Sequence, residues 1–290
     1  MNNLSNPNNS HSSNQQRKVW FITGISRGLG KAIAQEALTR GDAVIGTSRD
    51  GNHDLHASNG NLHVLALDVN NREQVFVALE KAYEHYWRLD VLVNNAGYGQ
   101  LGPIEHISAL DARQQFETNF FGALNVIQAA LPSMRAQRSG HIINISSIAG
   151  IDATPGGGLY AASKFALEGL SESLAIEVEP LGLHVTIVEP GAFRTDFLSD
   201  KSLKVSALSE EYSHLNPMFE LWNSLDGNQA GDPKRAAEAI FEVTREEEPP
   251  LRLVLGPDAF TRVNKKITAL TNDLKRYESV SRNTDFAGVK

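Results

Sequence analysis

Tyr160 and Lys164 are four residues apart, a spacing that sets both side chains on one face of a helix. An unperturbed phenol titrates near 10 and is a poor base at neutral pH. An ammonium ~4 Å from the phenolate contributes ~4 kcal/mol at an effective dielectric of 20. At ~1.4 kcal/mol per pH unit, the pair predicts a tyrosine lowered by as much as ~3 pH units, with desolvation opposing. Such a phenol can protonate a developing alkoxide or deprotonate an alcohol. Ser147, thirteen residues before Tyr160, can reach the same oxygen with a second hydrogen bond, and its neighbour Ser146 competes for that role.

A second constellation lies near the amino end. The run Thr23-Gly24-Ile25-Ser26-Arg27-Gly28-Leu29-Gly30 joins a β-branched stretch to a helical one. Glycines there permit a tight turn and close backbone approach, so a pyrophosphate can rest on the free N–H groups of the helix. The spacing is Gly-x-x-x-Gly-x-Gly rather than Gly-x-Gly-x-x-Gly, and a plain packing turn is the competing reading. A carboxylate about 20 residues onward would bond a ribose 2′-hydroxyl and repel a 2′-phosphate. The chain instead reads Thr47-Ser48-Arg49 there, with Arg27 inside the turn. Two guanidiniums can fork onto a phosphate, so NADP(H) is favoured over NAD(H), although Asp50 beside Arg49 argues the other way.

Positioning these groups is the task of the alternating runs that begin at Lys18. Candidate strands are Val19–Thr23, Ala43–Thr47, Leu62–Leu67, Val91–Val93, His141–Ile145, His184–Val188 and Leu251–Leu255. Helical patterns fall between most of them, at Leu29–Arg40, Arg72–Tyr86, Leu110–Arg138 and Ala161–Glu179. Strand runs without strict polar alternation, separated by helices, predict a parallel sheet covered on both faces. Right-handed crossovers then give an α/β fold, doubly wound and Rossmann-like, mainly a seven-stranded parallel sheet with helices on both faces. No linker divides the chain, so residues 17–290 are expected to form a single domain, and the polar residues 1–16 a disordered leader.

Composition excludes several function classes. With 27 Lys and Arg against 34 Asp and Glu, the net charge of −7 disfavours nucleic acid and anionic membrane as partners. The absence of cysteine rules out disulfides, thiolate catalysis and thiolate zinc sites. His53 and His56 lack a third ligand, so no metal site is expected. No apolar run reaches the ~18 residues of a membrane span, and a soluble, cytoplasmic protein is the default expectation.

Taken in order, the motifs resemble those of the short-chain dehydrogenase/reductase family, in its compact single-domain branch. The match covers Lys18 to Thr195: the glycine turn, Asp68-Val69, Asn94-Asn95-Ala96-Gly97, Asn119, Ser147, Tyr160-Ala-Ala-Ser-Lys164, and Pro190-Gly191 through Thr195. The resemblance implies that Asp68 contacts adenine, that Asn94 helps position the cofactor and that Pro190 to Thr195 holds the nicotinamide carboxamide. It also implies that Lys164 binds ribose hydroxyls, that Asn119 holds a water relaying protons from that lysine, and that Ser147 rather than Ser146 faces the substrate. Thr23, Ser26, Leu29, Val69, Asn95, Ala96 and Gly97 join the expected cofactor contacts. A homodimer or homotetramer is a further implication, paired through the helices near 110–138 and 161–179.

The leading expectation is an NADP-dependent oxidoreductase exchanging hydride with a small-molecule carbonyl or secondary alcohol. An epimerase or dehydratase of similar architecture is one rival, and a catalytically silent NADP-binding sensor another. Between Thr195 and Asp232 the chain departs from the strand–helix plan and carries Phe197, Tyr212, Phe219 and Trp222. Residues 196–232 are read either as a substrate lid or as surface helices packed on the core, with Tyr98, Leu101 and Pro155–Gly158 as the facing wall. The stripe Phe260, Val263, Ile267, Leu270, Leu274, Tyr277 has 3,4 spacing, the mark of a coiled seam or, more often, of a helix packed on its own core.

Overall fold

A computed structural model describes residues 17–57 and 60–286, so the leader expected at 1–16 lies outside the described residues. Its strands in chain order are β1 (Val19–Thr23), β2 (Ala43–Ser48), β3 (Leu62–Ala66), β4 (Val91–Asn94), β5 (Gly99–Leu101), β6 (Gly140–Ile145), β7 (Leu183–Pro190), β8 (Leu203–Val205) and β9 (Arg252–Leu255). The seven expected from the sequence form one parallel sheet in the order β3-β2-β1-β4-β6-β7-β9. The short strands β5 and β8 pair with each other outside it and were not foreseen.

Alternation along the central strands divides the core in two. Val19 and Phe21 of β1 face α2 (Arg72–Tyr86), α4 (Ala123–Gln137) and α5 (Gly158–Val178). Trp20 and Ile22 face the other way, against α1 (Gly28–Thr39) and α7 (Pro233–Val243), where Trp20 stacks on Phe241 at 5.8 Å. Both sheet faces are thereby kept from water, which is why these strands read as continuous apolar runs. From β1 the chain winds outward to β3, then returns to β4 and winds the other way. A doubly wound sheet binds its ligand at that reversal, beyond the carboxyl ends of the strands.

Two departures concern the helices. The stretch expected as one helix at 110–138 is α3 (Ala109–Phe116), a wide π-helical turn at Glu117–Gly122, and then α4. The last long helix, α8 (Pro257–Arg276), buries only Ala259, so its apolar stripe does not pack on the protein's own core. Between β7 and α7 lie β8 and α6 (Asn216–Leu225), and α6 has no buried residue.

Candidate active site

The glycine turn follows β1 and is braced from the neighbouring strand end. Thr23 Oγ1 accepts from the N–H groups of Asn95 and Ala96, each at 3.0 Å. Asn95 Nδ2 donates to the carbonyls of Thr23 and Gly24 at 2.9 and 3.0 Å. Gly30 packs against this brace: a Cβ there would stand 2.2 Å from Asn95 Nδ2. Gly28 opens α1 with φ +59, and no side chain caps the helix, whose amino end is left available to an anion.

Gly24, Ser26, Arg27, Gly28, Leu29, Ser48, Arg49, Asp68, Val69, Asn95, Ala96 and Gly97 line one cleft of about 850 Å³, together with Ser147, Tyr160, Lys164, Pro190, Gly191 and Thr195. Thr23, Gly30 and Asn119 lie behind its wall. Asn94 also lies behind it, 5% exposed and donating to Asn144 Oδ1 at 2.8 Å, so it does not itself line the cleft.

The two arginines are placed differently. Arg49 is exposed and makes no hydrogen bond or ion pair among the described residues. Asp50 is turned into its own loop, where its carboxylate accepts from the Asn52 N–H at 3.0 Å and Nδ2 at 2.8 Å. These bonds hold the Asp50 carboxyl below its usual range. Arg27, by contrast, donates to Ser202 Oγ at 3.0 Å and to the Lys201 carbonyl at 2.8 Å. It therefore ties the glycine turn to the 196–232 segment instead of standing free beside Arg49.

Around Tyr160 the electrostatics also depart from expectation. Lys164 Nζ lies 5.8 Å from the ring centroid and donates to the Ile145 carbonyl at 2.8 Å. Without a closer ammonium, burial pushes the Tyr160 phenol up to about 12, with a hydrogen bond to Ser147 acting the other way. The lowering expected from Lys164 is thus not found. Burial pushes Lys164 itself down to about 8, against the pull of Glu168. Ser146 donates to the buried Glu168 carboxylate at 2.6 Å, whereas Ser147 Oγ accepts from the Ala149 N–H at 3.1 Å and keeps its own proton to donate. Asn119 sits in the π-helical turn, 1% exposed, with its carboxamide joined to both backbone groups of Tyr98 and to Ser163 Oγ.

The segment after β7 runs back over this group. Phe197 lies 5.4 Å from the Tyr160 ring, and Trp222 lines the cleft beside Phe219, ring centroids 5.3 Å apart. Gly156 on the facing wall allows the approach: a Cβ there would meet Phe219 at 3.0 Å. Gln229, Asp258 and Arg262 are among the lining residues that sequence reasoning missed. Gln229 is 1% exposed with neither carboxamide atom partnered. Asp258 accepts from the Ala192 N–H at 2.9 Å, and Arg262 donates to Asp152 at 3.0 Å. None of the three belongs to a motif; the only signal was their place after the carboxyl ends of β7 and β9.

Comparison with known proteins agrees with this fold. A family model described as short chain dehydrogenase matches residues 18–205. The 3-ketodihydrosphingosine reductase of Bacteroides thetaiotaomicron is 36% identical over 265 residues, 90% of this chain and 96% of that protein. The crystal structure of a short-chain dehydrogenase from Streptomyces avermitilis aligns with a TM-score of 0.84 at 39% identity, over 92% of this chain and 100% of that one. ElxO with NADP bound aligns with a TM-score of 0.68 at 26% identity, over 85% and 100% of the two chains. Because the likeness runs through the whole sheet and not through one motif, the chain belongs to the short-chain dehydrogenase/reductase family and is an oxidoreductase of CH–OH and C=O groups.

Proposed function

We propose that the protein is an NADP-dependent oxidoreductase reducing a mainly apolar ketone or aldehyde, with Tyr160 as the acid/base. The observation that carries the cofactor choice is the charge pattern after β2: a cleft-lining Arg49 without a partner, and an Asp50 held by Asn52. A guanidinium in that state suits a 2′-phosphate, and a carboxylate already satisfied does not repel one. The NADP-bound neighbour supports the same choice. For the substrate, Phe197 against Tyr160 and Trp222 in the cleft supply apolar walls, with residues 196–232 acting as the lid. A relative named for reducing a ketone, 3-ketodihydrosphingosine, points the same way.

When bound, the nicotinamide supplies or accepts the hydride. Ser147 would hydrogen-bond the substrate oxygen through its O–H without giving up the proton, and Tyr160 would transfer its own proton to that oxygen as charge develops there. A phenol pushed up to about 12 by burial holds its proton at neutral pH and so has one to give to a developing alkoxide. Lys164 spends one N–H on Ile145 and has two left for the phenol and for ribose hydroxyls. Asn119 fixes the loop at Tyr98, and on this reading it would help hold a water relaying protons from Lys164, as the family resemblance implies. Phe121, Phe165 and Ile176, exposed on the π-helical turn and α5, support the pairing of copies that the family resemblance implies. A cysteine-free chain supports a cytoplasmic location. Among the described residues, no helix is long and apolar enough to cross a membrane.

The test follows NADPH absorbance with a panel of ketones and aldehydes. Tyr160→Phe should lower turnover by about 10²- to 10⁴-fold while NADPH affinity, read by calorimetry, is retained. Wild-type rates in that variant would remove Tyr160 from the chemistry.

A further inference from the structure

Helix α8 carries more apolar surface than the fold uses. Phe260, Ile267, Leu270 and Leu274, with Tyr277 just beyond the helix end, are between 50% and 72% exposed. Val263 completes the stripe and is partly exposed. These six positions follow one another at steps of 3, 4, 3, 4 and 3 residues. That is a period of 3.5, the narrow a/d seam of a coiled coil. A helix covering its own core or lying in a lipid surface presents a broader band. At 1.5 Å per residue the seam is about 25 Å long.

We propose that α8 pairs with α8 of a second copy of this chain, as a two-fold antiparallel coiled coil. Charge decides both the occupant and the direction. With Phe260 at a and Val263 at d, Lys266 and Asp273 fall at successive g positions, and Asn264, Thr271 and Glu278 at e. Antiparallel pairing sets g against g and e against e. When Ile267 meets Leu270 of the second copy, Phe260 meets Tyr277, Val263 meets Leu274, and Lys266 meets Asp273, each twice by symmetry. Asn264 then faces neutral Thr271. Parallel pairing sets g against the following e, which gives no opposite charges and faces Asp273 with Glu278. Neither Lys266 nor Asp273 forms an ion pair within the chain among the described residues, so both are free for the partner.

The pairing reaches toward the active cleft. The seam begins at Phe260, between Asp258, which bonds the loop after β7, and Arg262, which bonds Asp152 after β6. The antiparallel register brings Tyr277 of the second copy to that point.

Sedimentation velocity on the full chain tests the proposal. Lys266→Asp sets two aspartates face to face and should halve the particle mass relative to wild type, as should Leu270→Glu. Combining Lys266→Asp with Asp273→Lys should restore the wild-type mass, a recovery that mere loss of folding cannot imitate. The chain has no cysteine, so an equimolar mixture of Ile267→Cys and Leu270→Cys should oxidise to the mixed disulfide in preference to either homodisulfide. An unchanged mass in Leu270→Glu overturns the pairing, as does failure of the charge swap to restore it. Preferential Ile267→Cys homodisulfide overturns the antiparallel direction. Sedimentation of wild type with phosphatidylserine vesicles, lost in Leu270→Glu at constant mass, would assign the stripe to a lipid surface and overturn self-pairing.

Discussion

Arg49→Leu isolates the contribution of one guanidinium to cofactor choice. Arg49 lines the cleft, is exposed and has no partner among the described residues, so its removal breaks nothing in the protein itself. A hydrogen bond to a charged group contributes about 1.5–3 kcal/mol. At 1.4 kcal/mol per tenfold, losing one such bond to the 2′-phosphate raises the KM for NADPH by roughly 10- to 150-fold. NADH carries a hydroxyl at that place, and its KM should stay within about twofold. Arg27→Leu gives a different pattern. Arg27 is already bonded to Ser202 and Lys201, so its loss loosens the segment over the glycine turn and weakens both nucleotides together. Steady-state kinetics with each nucleotide at saturating ketone, alongside melting temperatures, separates the two. An equal loss for NADPH and NADH in Arg49→Leu, or no loss for NADPH, refutes the assignment.

Trp222→Ala should raise KM for bulky apolar carbonyls about tenfold, the equivalent of losing ~1–2 kcal/mol of apolar burial, with small carbonyls and the melting temperature unchanged. An equal loss for every substrate with a lowered melting temperature would assign Trp222 to packing. Glu189 is fully buried beside Arg252 and Glu168, and burial pushes its carboxyl up to about 7 from the usual 4.5. A carboxyl raised on folding adds stability that is complete below pH ~4.5 and lost as pH rises through about 7, amounting to ~3 kcal/mol. Glu189→Gln should therefore flatten the melting temperature between those limits, and an unchanged slope would exclude Glu189 as its source.

The sheet was legible because strands buried on both faces leave unbroken apolar runs, and right-handed crossovers leave few ways to order them. Strands β5 and β8 were not legible, because three residues carry no period. The π-helical turn was hidden for another reason: Glu117–Gly122 continues the helical pattern of its flanks, and only the hydrogen bonding changes. Long-range partners were equally out of reach. Arg27 was read as a phosphate ligand, but its nearest acceptors lie at Lys201 and Ser202, where nothing in the sequence marks a meeting. For α8 the 3.5-residue period stood in the sequence, yet the choice between core and seam needed the exposure of each side chain.

The pair proposed as catalytic shows most clearly what spacing does and does not determine. A separation of four residues sets Tyr160 and Lys164 on a shared helix face, and the two side chains do meet in one cleft. Spacing says nothing of the dielectric around them or of the rotamer that carries the ammonium to Ile145. The same burial raises the neutral acid and lowers the cationic base, because in each case it disfavours the charged form. The phenol therefore keeps its proton while the ammonium is brought nearer to losing one. On the proposed reading, such a phenol has a proton to give at neutral pH, and Lys164, pushed down to about 8 by burial, would replace it between turnovers. On that reading burial would suit the pair to proton delivery, by a route opposite to the lowered phenol that charge proximity alone predicts.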